Sequence, residues 1–363
     1  MRILRSLAAL VLFMVSMGFT PLTGEAVYVP AGDPSISYVG RWGMFKKADQ
    51  TSMVTVNSSS QIYATFTGEH IAGLFDLDGI DCLEQINVRV DGGPWQLFTV
   101  DKPRIEFFPA GLGQGSHRLE IAVKALDSKA ARWLMPLRSA LIFRGFELDS
   151  GAQARRDTIS QKRPRLEFLG DSMTQGDGIV GTNPTAVMNG DALASYAWLA
   201  GEALGTTHAQ IAFPGQGVLT SDSREVPPAI FSFGWNFAGS AVNFSGGPDF
   251  LVINLGLNDD AISAKEFVHA YVDLLGEIRQ HCPQTTIFAI RPFRGDRQQG
   301  NDVEMAVKMF ADPLVRYVDS SNWLTESDFT DRAHLNGIGS KKAAAQLEAI
   351  LRPYIDRWKS EHK

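Results

Sequence analysis

The hydrophobic period of this chain changes once, near residue 150, and that change constrains the fold more than any single motif. From about Val27 to Leu148 the sequence runs in short alternating segments broken by turns: SMVTVN, QIYATFTG, IAGLFDLDG, INVRVDGG, WQLFTV, HRLEIAVKA and ALIFRGFEL. A period of two turns one face of each strand toward a core, and short strands at this spacing predict a β-sandwich or jelly roll. Asp91-Gly92-Gly93, between INVRV and PWQLF, is a hairpin signal, because tight turns need positive φ. Beyond Pro164 the runs RLEFLG, AQIAF, DFLVINLG, TTIFAIRP and VRYVDS are apolar almost throughout, and helix-length segments such as DALASYAWLAGEAL and AKEFVHAYVDLLGEIRQ separate several of them. Strands buried on both faces and alternating with helices predict a parallel sheet covered on both sides. SGAQARRDTISQKRP, between the two regimes, has almost no apolar periodicity and reads as a linker. The expected organisation is therefore a sandwich over 27–149, a linker over 150–164 and an α/β domain over 165–363. GSKKAAAQLEAILRPYIDRWKS reads as a closing amphipathic helix, with Pro353 a kink or break.

With 363 residues, 44% apolar and 20% charged, the chain has ordinary globular composition and room for two cores. Its start, MRILRSLAALVLFMVSMGFTPLTGEA, carries two arginines, an apolar run from Leu7 to Phe19, and small or turn-forming residues to Ala26. That layout predicts a signal peptide over 1–26 and a secreted or periplasmic protein; an uncleaved anchor is the alternative. Cys82 and Cys282, the two cysteines, fall in different expected domains and read as free thiols. The net charge of −6, with basic residues scattered, argues against nucleic acid as a partner and suits a neutral or weakly charged substrate.

The chemistry is carried by residues at strand ends. Gly170-Asp171-Ser172-Met173-Thr174-Gln175-Gly176 follows the first strand of the second region, at the edge where open parallel sheets bind ligands, so Ser172 is a candidate nucleophile. A serine hydroxyl attacks poorly unless a base takes its proton, and histidine suits that task near neutral pH. Asp331-Arg332-Ala333-His334, before the last helix, supplies a base in His334. Asp331 is close enough to orient the imidazole, or else to cap the turn. Acyl transfer also needs donors for a developing oxyanion. Ala212-Phe213-Pro214-Gly215-Gln216-Gly217 and Gly256-Leu257-Asn258-Asp259, after the next two strands, offer backbone N–H groups and an amide; each also reads as a glycine turn or a helix cap.

In this order the four segments resemble the conserved blocks of the SGNH (GDSL-type) hydrolases: GDSMTQG, PGQG, GLND and DRAH. The resemblance spans about Arg165 to the C-terminus. It implies a flavodoxin-like three-layer α/β/α domain in which Ser172 is the nucleophile, His334 the base and Asp331 its orienter. It also implies an oxyanion hole formed by the Ser172 N–H, Gly215 and Asn258. Pro214 stands where a small polar residue often precedes the oxyanion glycine, which leaves Gly215 and Gly217 both open. A β-sandwich ahead of such a domain is similar to carbohydrate esterase family 2, whose members remove acetyl groups from xylan, glucomannan or related glycans. That likeness implies an acetylesterase acting on an acetylated polysaccharide or oligosaccharide, with no cofactor. The same machinery also serves exported polysaccharide O-acyltransferases and lipid or lysophospholipid esterases, and a non-catalytic glycan-binding protein is the remaining alternative.

Seven tryptophans are present, and an aromatic face stacks well on a sugar ring. Trp235, in FSFGWNFAGSAVNF, and Trp323, ahead of the Asp-His loop, are the candidates for lining a substrate cleft, against core packing as the simpler reading. His70, His117, His208, His269 and His281 form no metal-ligand spacing, so no metal is expected.

Overall fold

The computed structural model describes residues 25–47, 50–158, 162–181, 187–223, 225–294 and 299–362; residues 1–24, most of the segment read as a signal peptide, lie outside them. No helix of the described residues is long and apolar enough to cross a membrane.

Two antiparallel sheets of six strands form the amino-terminal half. One orders β3 (Gly43–Lys47), β4 (Gln50–Thr55), β11 (Leu141–Leu148), β6 (Ile71–Phe75) and β9 (Arg104–Glu106), with β1 (Val27–Pro30) pairing β11. The other orders β12 (Ala154–Arg155), β5 (Gln61–Thr67), β10 (Ser116–Ala125), β7 (Gln85–Val90) and β8 (Gln96–Thr99), with β2 (Ser37–Val39) pairing β5. Inward residues of both sheets, among them Ile62, Phe66, Phe75, Val88, Leu119, Ile121, Phe143 and Phe146, make one core, as the period-two pattern requires. Asp91 and Gly92 take positive φ, 51° and 71°, in the turn joining β7 to β8. Within the segment read as a linker, β12 adds to the β5 edge.

The carboxyl-terminal half is a five-stranded parallel sheet ordered β14 (Thr207–Ala212), β13 (Arg165–Gly170), β17 (Phe250–Asn254), β18 (Thr286–Ile290) and β19 (Val315–Val318). By position in this half the order is 2-1-3-4-5, the flavodoxin-like arrangement. One face packs on α2 (Tyr196–Leu204) and α6 (Gly337–Glu361); the other packs on α4 (Ala264–His281) and α5 (Gln299–Phe310). Ser263 caps α4 in a reciprocal capping box with Glu266. Of the two expectations for Pro353, a break is overturned, since α6 runs on to Glu361. Pro353 lies on the exposed face beside exposed Ala349, whose carbonyl loses its helical donor to the proline ring and faces water instead.

The sandwich docks on the free edge of β14. The N–H groups of Gln210 and Ala212 donate to Ser59 Oγ at 3.0 Å and Asn57 Oδ1 at 3.1 Å, while Gln61 Nε2 donates to the carbonyl of His208. Three side chains at alternate positions thus replace the strand that would otherwise pair with β14.

Candidate active site

β13 ends at Gly170, and the chain turns at once into a single helical turn, α1 (Ser172–Gln175), capped by Asp171, whose Oδ1 accepts from the Met173 N–H at 3.0 Å. Met173 packs inward with Leu166, Phe168 and Tyr196. This leaves Ser172, the first residue of the helix, facing outward at the carboxyl edge of the sheet, where its own N–H has no partner within the helix.

His334 approaches from the loop before α6. Its Nε2 lies 2.9 Å from Ser172 Oγ, and its Nδ1 lies 2.9 Å from Asp331 Oδ2. An ionised carboxylate only accepts, so the proton sits on Nδ1, and Nε2 presents a lone pair to the serine hydroxyl. Asp331 also caps the turn: its Oδ1 accepts from the N–H groups of Ala333 and His334, both at 2.8 Å. Partial burial pushes the Asp331 carboxyl upward, and the bonds from His334 and Ala333 outweigh that, so its pKa falls below the ordinary value and the group stays ionised.

The two glycines of the PGQG segment are occupied differently. The Gly217 N–H donates to the Thr220 carbonyl at 2.8 Å, and a Cβ there would fall 2.5 Å from the Asp259 carboxylate. Gly217 is therefore a packing glycine. Gly215, at φ 77°, turns the loop and accepts at its carbonyl from the Asp222 N–H at 3.0 Å. Asn258 Nδ2 donates to Asp171 Oδ2 at 3.2 Å and to the Gln216 carbonyl at 3.0 Å, which ties the nucleophile turn to the glycine loop. Asp171 is fully buried, and burial pushes its carboxyl up to about 6 against the Met173 N–H bond.

Sequence reasoning missed Asp259. It is buried, and its carboxylate accepts from the N–H groups of Val218, Leu219 and Thr220 at 2.7, 3.0 and 3.0 Å, so it shapes the glycine loop from beneath. Its place directly after Asn258 was the available signal.

The tryptophans part company. Trp323 lies beyond the end of β19, at the same sheet edge as Ser172. It packs 6.0 Å from Phe293, which meets Tyr196 edge-to-face at 4.9 Å, and the Tyr196 hydroxyl bonds Thr174 of α1 at 2.7 Å. Trp235 does not line the cleft. It begins β15 (Trp235–Phe237), and the preceding Gly234 lies against His281, the last residue of α4, at the edge where the strands begin. A five-residue strand spans about 15 Å, so the edge near Trp235 lies a strand's length from the edge that carries Ser172. An aromatic in a glycine-rich loop carries no information about which sheet edge its loop returns to.

Among the described residues, no group of three or more His, Cys, Asp or Glu side chains could hold a metal ion, and Cys82 and Cys282 are free thiols.

No family model matches the chain. A curated relative, the cellulase/esterase CelE of Acetivibrio thermocellus, is 27% identical over 270 residues, 70% of this chain; the chain spans 31% of that protein's length. A family two carbohydrate esterase from Cellvibrio japonicus superposes with a TM-score of 0.74 at 18% identity, covering 92% of this chain and 99% of that one. The acetyl xylan esterase Est2A from the rumen bacterium Butyrivibrio proteoclasticus superposes with a TM-score of 0.71 at 17% identity, covering 91% and 99%. The chain is thus similar to the family 2 carbohydrate esterases, and its sandwich-plus-α/β fold is theirs.

Proposed function

We propose, from the likeness of this chain to the family 2 carbohydrate esterases, that it is a carboxylic ester hydrolase removing O-acetyl groups from a carbohydrate. The observation that carries the reading is the continuous contact from Asp331 through His334 to Ser172 Oγ, at 2.9 Å on each side of the imidazole.

In this mechanism Ser172 Oγ attacks the acetyl carbonyl as its proton passes to His334 Nε2, and Asp331 stabilises the imidazolium formed. The tetrahedral oxyanion is met by the Ser172 and Gly215 N–H groups and by the Asn258 amide, which gives up one of its two present acceptors to reach it. Collapse breaks the bond to the sugar oxygen, which takes the proton from His334 and leaves as an alcohol. Water then attacks the acetyl-serine, with His334 again as base, and acetate departs.

Acetyl as the acyl group and a xylan-like polymer are supported by the similarity to the acetyl xylan esterase Est2A. A polymer of that kind cannot cross a membrane, so the substrate lies outside the cytoplasm, in keeping with the basic and apolar start of the chain. The test is acetate release from acetylated xylan, with 4-nitrophenyl acetate in parallel, for the wild type and for folded Ser172→Ala and His334→Ala. Both variants are expected to lose about 10³-fold or more in kcat. Activity that survives in Ser172→Ala refutes the mechanism; a wild type active on 4-nitrophenyl esters but inert on glycans refutes the substrate class.

A further inference from the structure

The loop between β10 and β11, residues 126–140, belongs to the sandwich, yet its middle is buried against the catalytic half. Arg132 is 2% exposed, and its guanidinium reaches both loops that build the site. On one side Nη2 donates to Gln175 Oε1 at 2.6 Å. Gln175 Nε2 donates to Asp177 Oδ1 at 2.7 Å, and the Asp177 N–H donates to the Ser172 carbonyl at 3.0 Å. On the other side the guanidinium carbon stands 5.1 Å from the centre of the Phe213 ring, at the root of the Pro214-Gly215 turn. Nη1 reaches back to the Val56 carbonyl of the sandwich at 3.4 Å. Ser128, from the same loop, donates to Asp177 Oδ2 at 2.7 Å.

We propose that Arg132 is a positioning residue for the esterase reaction, in which the sandwich fixes the nucleophile turn and the oxyanion-hole glycine loop relative to each other. The proposal rests on the esterase reading above. Stability alone does not account for this side chain, because desolvating a guanidinium is costly and an apolar side chain of similar volume commonly packs as well or better. What an apolar replacement cannot do is grip an amide on one side and the face of an aromatic ring on the other through one rigid plane. Ser172 and Gly215 sit on separate strand ends, and acyl transfer depends on their separation, since an error of about 1 Å can cost on the order of 10²-fold in rate. Arg132 faces Asp177, Glu84 and Asp127, and the carboxylates of Asp177 and Asp127 oppose the cost of burying its charge.

The experiment measures kcat and KM on 4-nitrophenyl acetate for Arg132→Met, Arg132→Lys and Gln175→Met, beside the wild type and Ser172→Ala, each checked for folding by near-ultraviolet circular dichroism. Arg132→Met and Gln175→Met are expected to lower kcat by about 10- to 100-fold with KM changed by less than about 2-fold, and Arg132→Lys to recover part of the loss. Gln175→Met cuts the same link without leaving Asp177 short of its cation, so it decides the matter if Arg132→Met does not fold. A folded Arg132→Met or Gln175→Met with wild-type kcat, beside an inactive Ser172→Ala, overturns this proposal alone. An active Ser172→Ala overturns the nucleophile assignment and this proposal with it.

Discussion

At Asp331 two demands meet, since one carboxylate closes the turn and holds the histidine tautomer. An asparagine keeps the first and inverts the second: its Oδ1 can still accept from the turn N–H groups, while its NH2 facing Nδ1 favours a proton on Nε2. Asp331→Asn is expected to fold normally and to lose on the order of 10²-fold or more in kcat with little change in KM, read from steady-state kinetics beside a melting curve. Glu84 carries a different liability. It is almost wholly buried, accepts from Ser139 Oγ at 2.5 Å, and burial pushes its carboxyl up to about 8. The folded protein then keeps a proton that the unfolded chain, with an ordinary carboxylate near pH ~4.3, releases. Stability from this group is therefore full at low pH and is lost as pH rises toward 8. Glu84→Gln lacks that loss, so urea unfolding should find it level with the wild type at acid pH and more stable, by a few kcal/mol, above about pH 8. As candidates, Ser172, His334, Asp331, Gly215 and Asn258 could be picked out because each sits in a short contiguous string whose chemistry is local. Arg132 and Glu84 could not, because burial, which gives them their roles, is set by partners far off in sequence.

Among the elements, the strands and helices were legible wherever a period ran for several residues, as in α4 and β10. The segment 57–61, Asn-Ser-Ser-Ser-Gln, was not; it has the composition of an exposed turn and is buried throughout. Its polarity is what the β14 edge demands, since an apolar segment there would leave backbone donors of that strand without acceptors. Asn57→Ala strands the Ala212 N–H and Ser59→Ala strands the Gln210 N–H. Each is expected to cost about 1–3 kcal/mol, seen as a lower urea midpoint with the slope unchanged. Ser59 itself is held at φ 62°, with its own N–H donating to the Val123 carbonyl at 2.7 Å, so its hydroxyl is aimed by a backbone conformation that local sequence does not announce. Pro353 errs the other way: proline's general tendency to end helices is overridden where the orphaned carbonyl lies on an exposed face.

Across the whole molecule, the change of period near residue 150 divided the chain into two kinds of sheet, but it said nothing of how closely the two halves are fused. Arg41, 2% exposed, bonds Glu167 of β13 at 3.0 Å and the Phe233 carbonyl at 3.1 Å. Lys124 Nζ of β10 donates to the Gly190 carbonyl at 2.7 Å. Such contacts join residues many tens of positions apart, and no periodic pattern records them. The side-chain seal on β14 has a further consequence for shuffling and engineering. A binding module hung on a tether can be traded for another by cutting the tether. A substitute for this sandwich would have to bring an amide, a hydroxyl and a second amide at alternate positions, in step with Ala212, Gln210 and His208. Without them the catalytic half would present an open strand to the next copy of itself, so the two halves are portable only as one cassette.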